Sequence, residues 1–147
     1  MNKAMLFWNK VATKKDNKRY ITDLTESEAV QRTLQYLEPH HTVLDFGCRT
    51  GGNALAIADH VYQIFGLDHS ALGVEHAKRW SQTREIDNAQ FDATDLFDPI
   101  YKEQSFDAIT AYHVLHLLDQ PEAIMHRINT LLKPDGLLIS ATTCWGE

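Results

Sequence analysis

Ten consecutive residues, Val43-Leu44-Asp45-Phe46-Gly47-Cys48-Arg49-Thr50-Gly51-Gly52, hold the densest chemical signal in the chain. A short apolar run carries one acid and then breaks into glycines. Glycine lets the backbone take positive φ and approach a ligand closely. The next helix opens at Gly51-Gly52-Asn53, so its unpaired N–H groups and positive end face the same space. Phosphates, dinucleotides and S-adenosylmethionine are all held by loops of this kind. A phosphate-binding Walker loop requires Gly-Lys-Ser/Thr, which the chain lacks. A dinucleotide loop requires Gly-x-Gly-x-x-Gly, and Arg49 breaks it at the middle glycine. Asp45 is an acid inside an apolar strand and needs donors, either loop N–H groups or a ligand amine.

Further along, Asp68 closes a second apolar run, 21 residues after Gly47. A carboxylate there can accept both hydroxyls of a ribose, a device that nicotinamide and adenosylmethionine sites share. The plainer use of Asp68 is as a helix cap or a solvated strand end. His113 and His116 are three apart and share a turn or a helical face. Either could serve as a general base, since imidazole titrates near neutrality, and packing alone would also explain them. No His-Glu-x-x-His pattern and no cysteine cluster is present, so no metal is expected.

These residues need elements to position them. Thr42–Phe46, Val61–Leu67, Asn88–Phe91, Phe106–Ala111 and Leu137–Thr142 read as five strands. Helical patterns alternate with them: one after the capping box Thr25-Glu26-Ser27-Glu28, one from Gly51, one from Ser70 to about Arg84, and one with Asp119 as cap and Pro121 in its first turn. Pro134-Asp135-Gly136 reads as a turn. Alternation of this sort predicts an α/β, doubly wound, mostly parallel sheet with helices on both faces. Ligands of such sheets sit beyond the carboxyl ends of the strands, which is where the residues above fall.

The motifs, in order, resemble those of the class I S-adenosylmethionine-dependent methyltransferases. Val43 to Gly51 is similar to the family's Val-Leu-Asp-x-Gly-Cys-Gly-x-Gly, and only Arg49 departs from it. Gly66-Leu67-Asp68-His69-Ser70, Asp92-Ala93-Thr94-Asp95-Leu96, Phe106-Asp107 through Leu118, and Leu131-Leu132-Lys133-Pro134-Asp135-Gly136 resemble the later motifs. The resemblance covers about Val43 to Ser140. It implies a Rossmann-like core with strand order 3-2-1-4-5 and S-adenosyl-L-methionine as cofactor, with S-adenosyl-L-homocysteine as product. It also implies cofactor-binding roles residue by residue. Asp45, Gly47, Cys48, Arg49 and Gly51 would form the loop under the methionyl part. Asp68 would hold the ribose and His69 would flank the adenine. Asp92 would accept the adenine amine beside Ala93, and Ala111 and Tyr112 would line the methionyl end. Two alternatives stay open: an NAD(P)-dependent oxidoreductase, and a non-catalytic domain that keeps the fold for assembly.

Composition bounds the rest. The chain has 147 residues, 44% hydrophobic and 23% charged, which fits a single domain over 1–147. Its net charge is −6, yet the first 19 positions carry six basic residues against Asp16 alone. The acidic remainder disfavours nucleic acid and favours a small-molecule acceptor. The basic 1–24 segment, with Phe7, Trp8 and Tyr20, resembles the family's lid-like N-terminal helix. No charge-free stretch reaches the roughly 20 residues of a spanning helix, and no secretory signal is evident. Two cysteines, Cys48 and Cys144, read as reduced thiols of a cytoplasmic protein. The resemblance implies a further helix and two strands after the fifth strand, so the given residues are expected to be either a truncated piece or a chain whose fifth strand is covered by a second copy. That strand, uncharged from Leu137 to Thr142, would be an exposed edge suited to a homodimer.

Overall fold

β1 (Thr42–Phe46) is apolar along most of its length because both of its faces are covered. A computed structural model of the chain describes residues 28–142. The order of elements is α1 (Glu28–Leu34), β1, α2 (Gly52–Ala58), β2 (Gln63–Asp68), α3 (Ala71–Thr83), β3 (Ala89–Ala93), β4 (Phe106–Tyr112), a 3₁₀ turn at Leu115–Leu117, α4 (Pro121–Leu131) and β5 (Leu132–Ala141). The five strands form one parallel sheet in the order β3-β2-β1-β4-β5. Val30, Val43, Leu55, Ile57, Ile64 and Val74 pack one face beneath α1, α2 and α3. Leu44, Leu67, Leu96, Tyr101, Ile109 and Ile128 pack the other beneath α4 and the 94–105 connection. The expected fold class, order and two-faced covering are what the structure has. The capping box apart from Glu28, the 1–24 segment with Phe7, Trp8 and Tyr20, and Cys144 lie outside the described residues.

Three local readings need correction. β2 begins at Gln63, because Val61 and Tyr62 belong to the turn in which Tyr62 N donates to His41 O at 3.0 Å. Asp119 does not cap α4: Pro121 occupies the first turn and the adjacent Gln120 takes the cap position, without a side-chain cap bond. Proline's fixed φ presets the first helical residue, so the cap is the residue directly before it. Pro134-Asp135-Gly136 is not a turn ahead of a strand but an irregularity inside β5. Its register jumps from Phe106↔Leu132 to Ala108↔Leu137, with Asp135 at φ 65°. Asp107 anchors this end of the sheet, its Oδ2 accepting from Thr42 N at 2.8 Å and from Lys133 Nζ at 3.1 Å.

Candidate active site at the carboxyl ends of β1, β2 and β4

After Phe46 the chain turns sharply, and the turn is built on positive φ. Gly47 has φ 78°, Arg49 φ 54° and Gly51 φ 86°. Gly47 N and Cys48 N both donate to Leu67 O at 2.9 Å, which folds the loop back onto the end of β2. Gly51 N then donates to Cys48 O at 2.9 Å, and Gly51 is the cap position of α2. A Cβ on Gly51 would lie 2.7 Å from Ala77 Cβ, so glycine here lets α3 rest against the loop.

Asp68 is 7% exposed and is aligned by two backbone donors. Arg49 N donates to its Oδ2 at 2.9 Å and Ser70 N to its Oδ1 at 2.8 Å. Each oxygen keeps a second lone pair for a further donor. The capping of α3 falls to Ser70, whose hydroxyl accepts from Gly73 N at 3.1 Å. Ala93 stands in register beside Asp68 on β3.

Asp45 is fully buried, and its Oδ1 accepts from Thr110 Oγ1 at 2.8 Å. Burial pushes its carboxyl up to about 6, against the opposing effect of the Thr110 bond, with the Asp68 charge adding to the rise. The donor anticipated from sequence was a loop N–H or a ligand amine. Thr110 was missed, although it is the one hydroxyl among Ala108–Ala111 and shares the register row of Asp45. Burial, then Asp45 and Asp68, hold the Cys48 thiol well above its usual range, so it stays protonated and unreactive.

The remaining candidates divide. Gly47, Arg49, Asp68 and His113 line one small cavity of about 20 Å³ with Val114 and Leu117. His113 has φ 54° and its N donates to Ala141 O at 2.7 Å, so the loop after β4 is tied to the end of β5. Burial, Arg49 and His116 lower the His113 imidazole, which leaves it neutral at neutral pH. His116 is exposed on the 3₁₀ turn, and His69 is exposed between β2 and α3. Ala111 packs in the core under α4, and the Tyr112 hydroxyl turns to Thr33 Oγ1 of α1 at 2.6 Å. Asp92 lines a different cleft, on the α4 side of the sheet. A trio with ligand atoms within 4.8 Å of one another, Glu38, His40 and His41, stands before the amino end of β1, away from these loops.

A glycine-built loop against a strand-end carboxylate is a binding device, and residues 16–145 match the model of a methyltransferase domain family. The chain belongs to that family. It is 30% identical over 130 residues to sterol 24-C-methyltransferase of Pneumocystis carinii, spanning 83% of this chain and 34% of that protein. It is 29% identical over 96 residues to the uncharacterized methyltransferase YcgJ of Bacillus subtilis, spanning 65% of this chain and 38% of that one. The crystal structure of YcgJ superposes with a TM-score of 0.71 over 75% of this chain and 48% of YcgJ, at 25% identity. Geranyl diphosphate C-methyltransferase from Streptomyces coelicolor, solved with Mg2+, geranyl diphosphate and S-adenosyl-L-homocysteine, shares the fold with a TM-score of 0.72 at 18% identity, over 91% of this chain and 54% of that one. The methyltransferase-domain chain thus spans between about a third and a half of the lengths of these relatives.

Proposed function

We propose that this methyltransferase-domain chain binds S-adenosyl-L-methionine against the 47–51 loop and Asp68 and serves methyl transfer to a small-molecule acceptor, leaving S-adenosyl-L-homocysteine. The observation that carries this is the Asp68 carboxylate, held by Arg49 N and Ser70 N with a lone pair of each oxygen still to fill. Two ribose hydroxyls are donors of matching number and spacing. When bound, the cofactor supplies a sulfonium methyl open to displacement by an O, N, S or C nucleophile.

The chain's part in such a reaction is binding and alignment. Gly47 and Gly51 give the loop the curvature to lie under the methionyl portion. Asp92 would accept the adenine amine, with the Ala93 backbone beside the ring. His69 would flank the purine, and the Ala111 and Tyr112 backbone would bound the methionyl end. His113, neutral at neutral pH, would take a proton from an acceptor, and His116 is the second candidate for that role. The net charge of −6 supports a small molecule over nucleic acid. No helix among the described residues is long and apolar enough to cross a membrane.

Titration calorimetry tests the reading. S-adenosylmethionine and S-adenosylhomocysteine should bind the wild type and NADH should not. Asp68→Ala should weaken both by roughly tenfold or more, through loss of a charge-assisted bidentate contact. An Asp68→Ala protein that folds and binds with unchanged affinity removes Asp68 from the site.

A further inference from the structure

We propose that the turn joining α1 to β1 is a site for a divalent transition ion of the zinc, nickel or copper class, held by Glu38, His40 and His41. One side-chain atom of each residue lies within 4.8 Å of the other two. His40 Nδ1 stands 3.4 Å from Glu38 Oε2, which is long for a hydrogen bond. It is the edge length of a tetrahedron around an ion, because ligands roughly 2.0–2.1 Å from zinc stand about 3.3–3.4 Å apart. Drawing in the third ligand takes rotation of the His40 and Glu38 side chains, which are 71% and 66% exposed and free to turn. Two imidazoles with one carboxylate select these ions over magnesium and calcium, which take oxygen ligands.

The backbone that carries the three ligands is already fixed. His41 N donates to Glu38 O at 3.0 Å, and Pro39 has its φ locked between them. His41 O accepts from Tyr62 N at 3.0 Å, which seats the turn against the approach to β2. The rings of His40 and His41 meet edge to face with centroids 4.7 Å apart. Little chain entropy is therefore left to lose when an ion binds. His41 Nδ1 accepts from Glu38 N at 3.1 Å, and this bond lies at the surface. Water takes up the N–H when the ring turns to an ion. The Asp107 carboxylate is near enough to His41 for their charges to interact, and it adds negative charge beside the site. Glu38-Pro39-His40-His41 is neither His-Glu-x-x-His nor a cysteine pair, so proximity in the fold reveals the trio and motif does not. The turn stands at the opposite end of β1 from the glycine loop, and the inference is independent of the cofactor.

The experiment titrates zinc chloride into the 147-residue chain at about pH 7.5 in a non-chelating buffer, where imidazole is neutral. Calorimetry gives the affinity, and the ring resonances of the eight histidines give the place. Zinc should bind with Kd below about 100 µM, and His40 and His41 should shift before the other six. His40→Ala removes an exposed ligand without touching the core, and Glu38→Gln keeps the shape and removes the charge. Each should weaken zinc binding by about tenfold or more. Zinc should raise the melting temperature of the wild type more than that of His40→Ala. Magnesium should leave His40 and His41 unshifted. A zinc Kd weaker than about 100 µM overturns the proposal. So does equal affinity in His40→Ala, or a first shift at histidines elsewhere, either of which would place the ion outside this turn.

Discussion

Asp45 is a carboxylate of the candidate site held out of water, and its burial has a pH signature. Its carboxyl is raised to about 6 by burial, so the folded chain holds this proton to higher pH than the unfolded chain does. Stability contributed by the protonated form is therefore present at low pH and lost as pH climbs from about 4 through about 6. The full effect is about 3 kcal/mol. Asp45→Asn keeps an acceptor for Thr110 and cannot ionise. Urea unfolding of the two proteins from pH 4 to pH 7 should show the wild type losing about that amount relative to the variant. A difference that does not change with pH would contradict the assignment. Arg49 carries a second prediction. At φ 54° a side chain costs about 1–2 kcal/mol that glycine avoids, which gives a backbone reason for the glycine in the family pattern. Arg49→Gly should raise stability by about 1 kcal/mol. It should also tighten S-adenosylmethionine binding, by removing a cation near the sulfonium. Equal or weaker calorimetric affinity would point instead to Arg49 pairing with the methionyl carboxylate. At this scale the sequence displayed the acids and glycines because their types are rare inside apolar runs. It did not display Thr110 or Thr33 as partners, since each acts across elements that only the fold brings together.

Elements were legible where one local rule dominates. Ser70 caps α3 and Pro121 opens α4, because capping and proline geometry act within a turn. Strand ends were less legible, since pairing with a neighbour decides them. Four residues of β5, Lys133 to Gly136, stand opposite Asp107 alone, and no local signal separates that from a turn. Gly51 shows how one position couples two elements. It needs φ 86° for the loop and bare space for α3, whose Ala77 would sit 2.7 Å from an added Cβ. Gly51→Ala should cost about 2–4 kcal/mol, the sum of a left-handed side chain and an overpacked contact. Chemical denaturation measures it. The double variant Gly51→Ala, Ala77→Gly should recover the packing part only. Recovery of all or none of the loss would show that one of the two causes is absent.

For the whole molecule, alternating strands and helical patterns were enough to predict a parallel sheet covered on both faces, and the order 3-2-1-4-5 came with the family resemblance. The sheet has two outer strands among the described residues, and they are unlike. β3 is five residues long and carries Gln90 and Asp92, features that discourage pairing with another chain. β5 spans Leu132–Ala141, is bonded on its β4 side, and has no charge from Leu137 onward. Leu137 is 42% exposed. An uncharged edge of this length is a template for a further strand, and a second copy offers the same strand by two-fold symmetry. The 147-residue chain should therefore self-associate at tens of micromolar in light scattering or sedimentation. Leu137→Lys places a charge on that edge at an exposed position and should return it to monomer without loss of fold. Hydrogen exchange supplies the deciding comparison. The β5 amides should be protected in the wild type in proportion to its association and exposed in Leu137→Lys. A wild-type monomer whose β5 amides are already protected would mean that this edge is covered from within the chain.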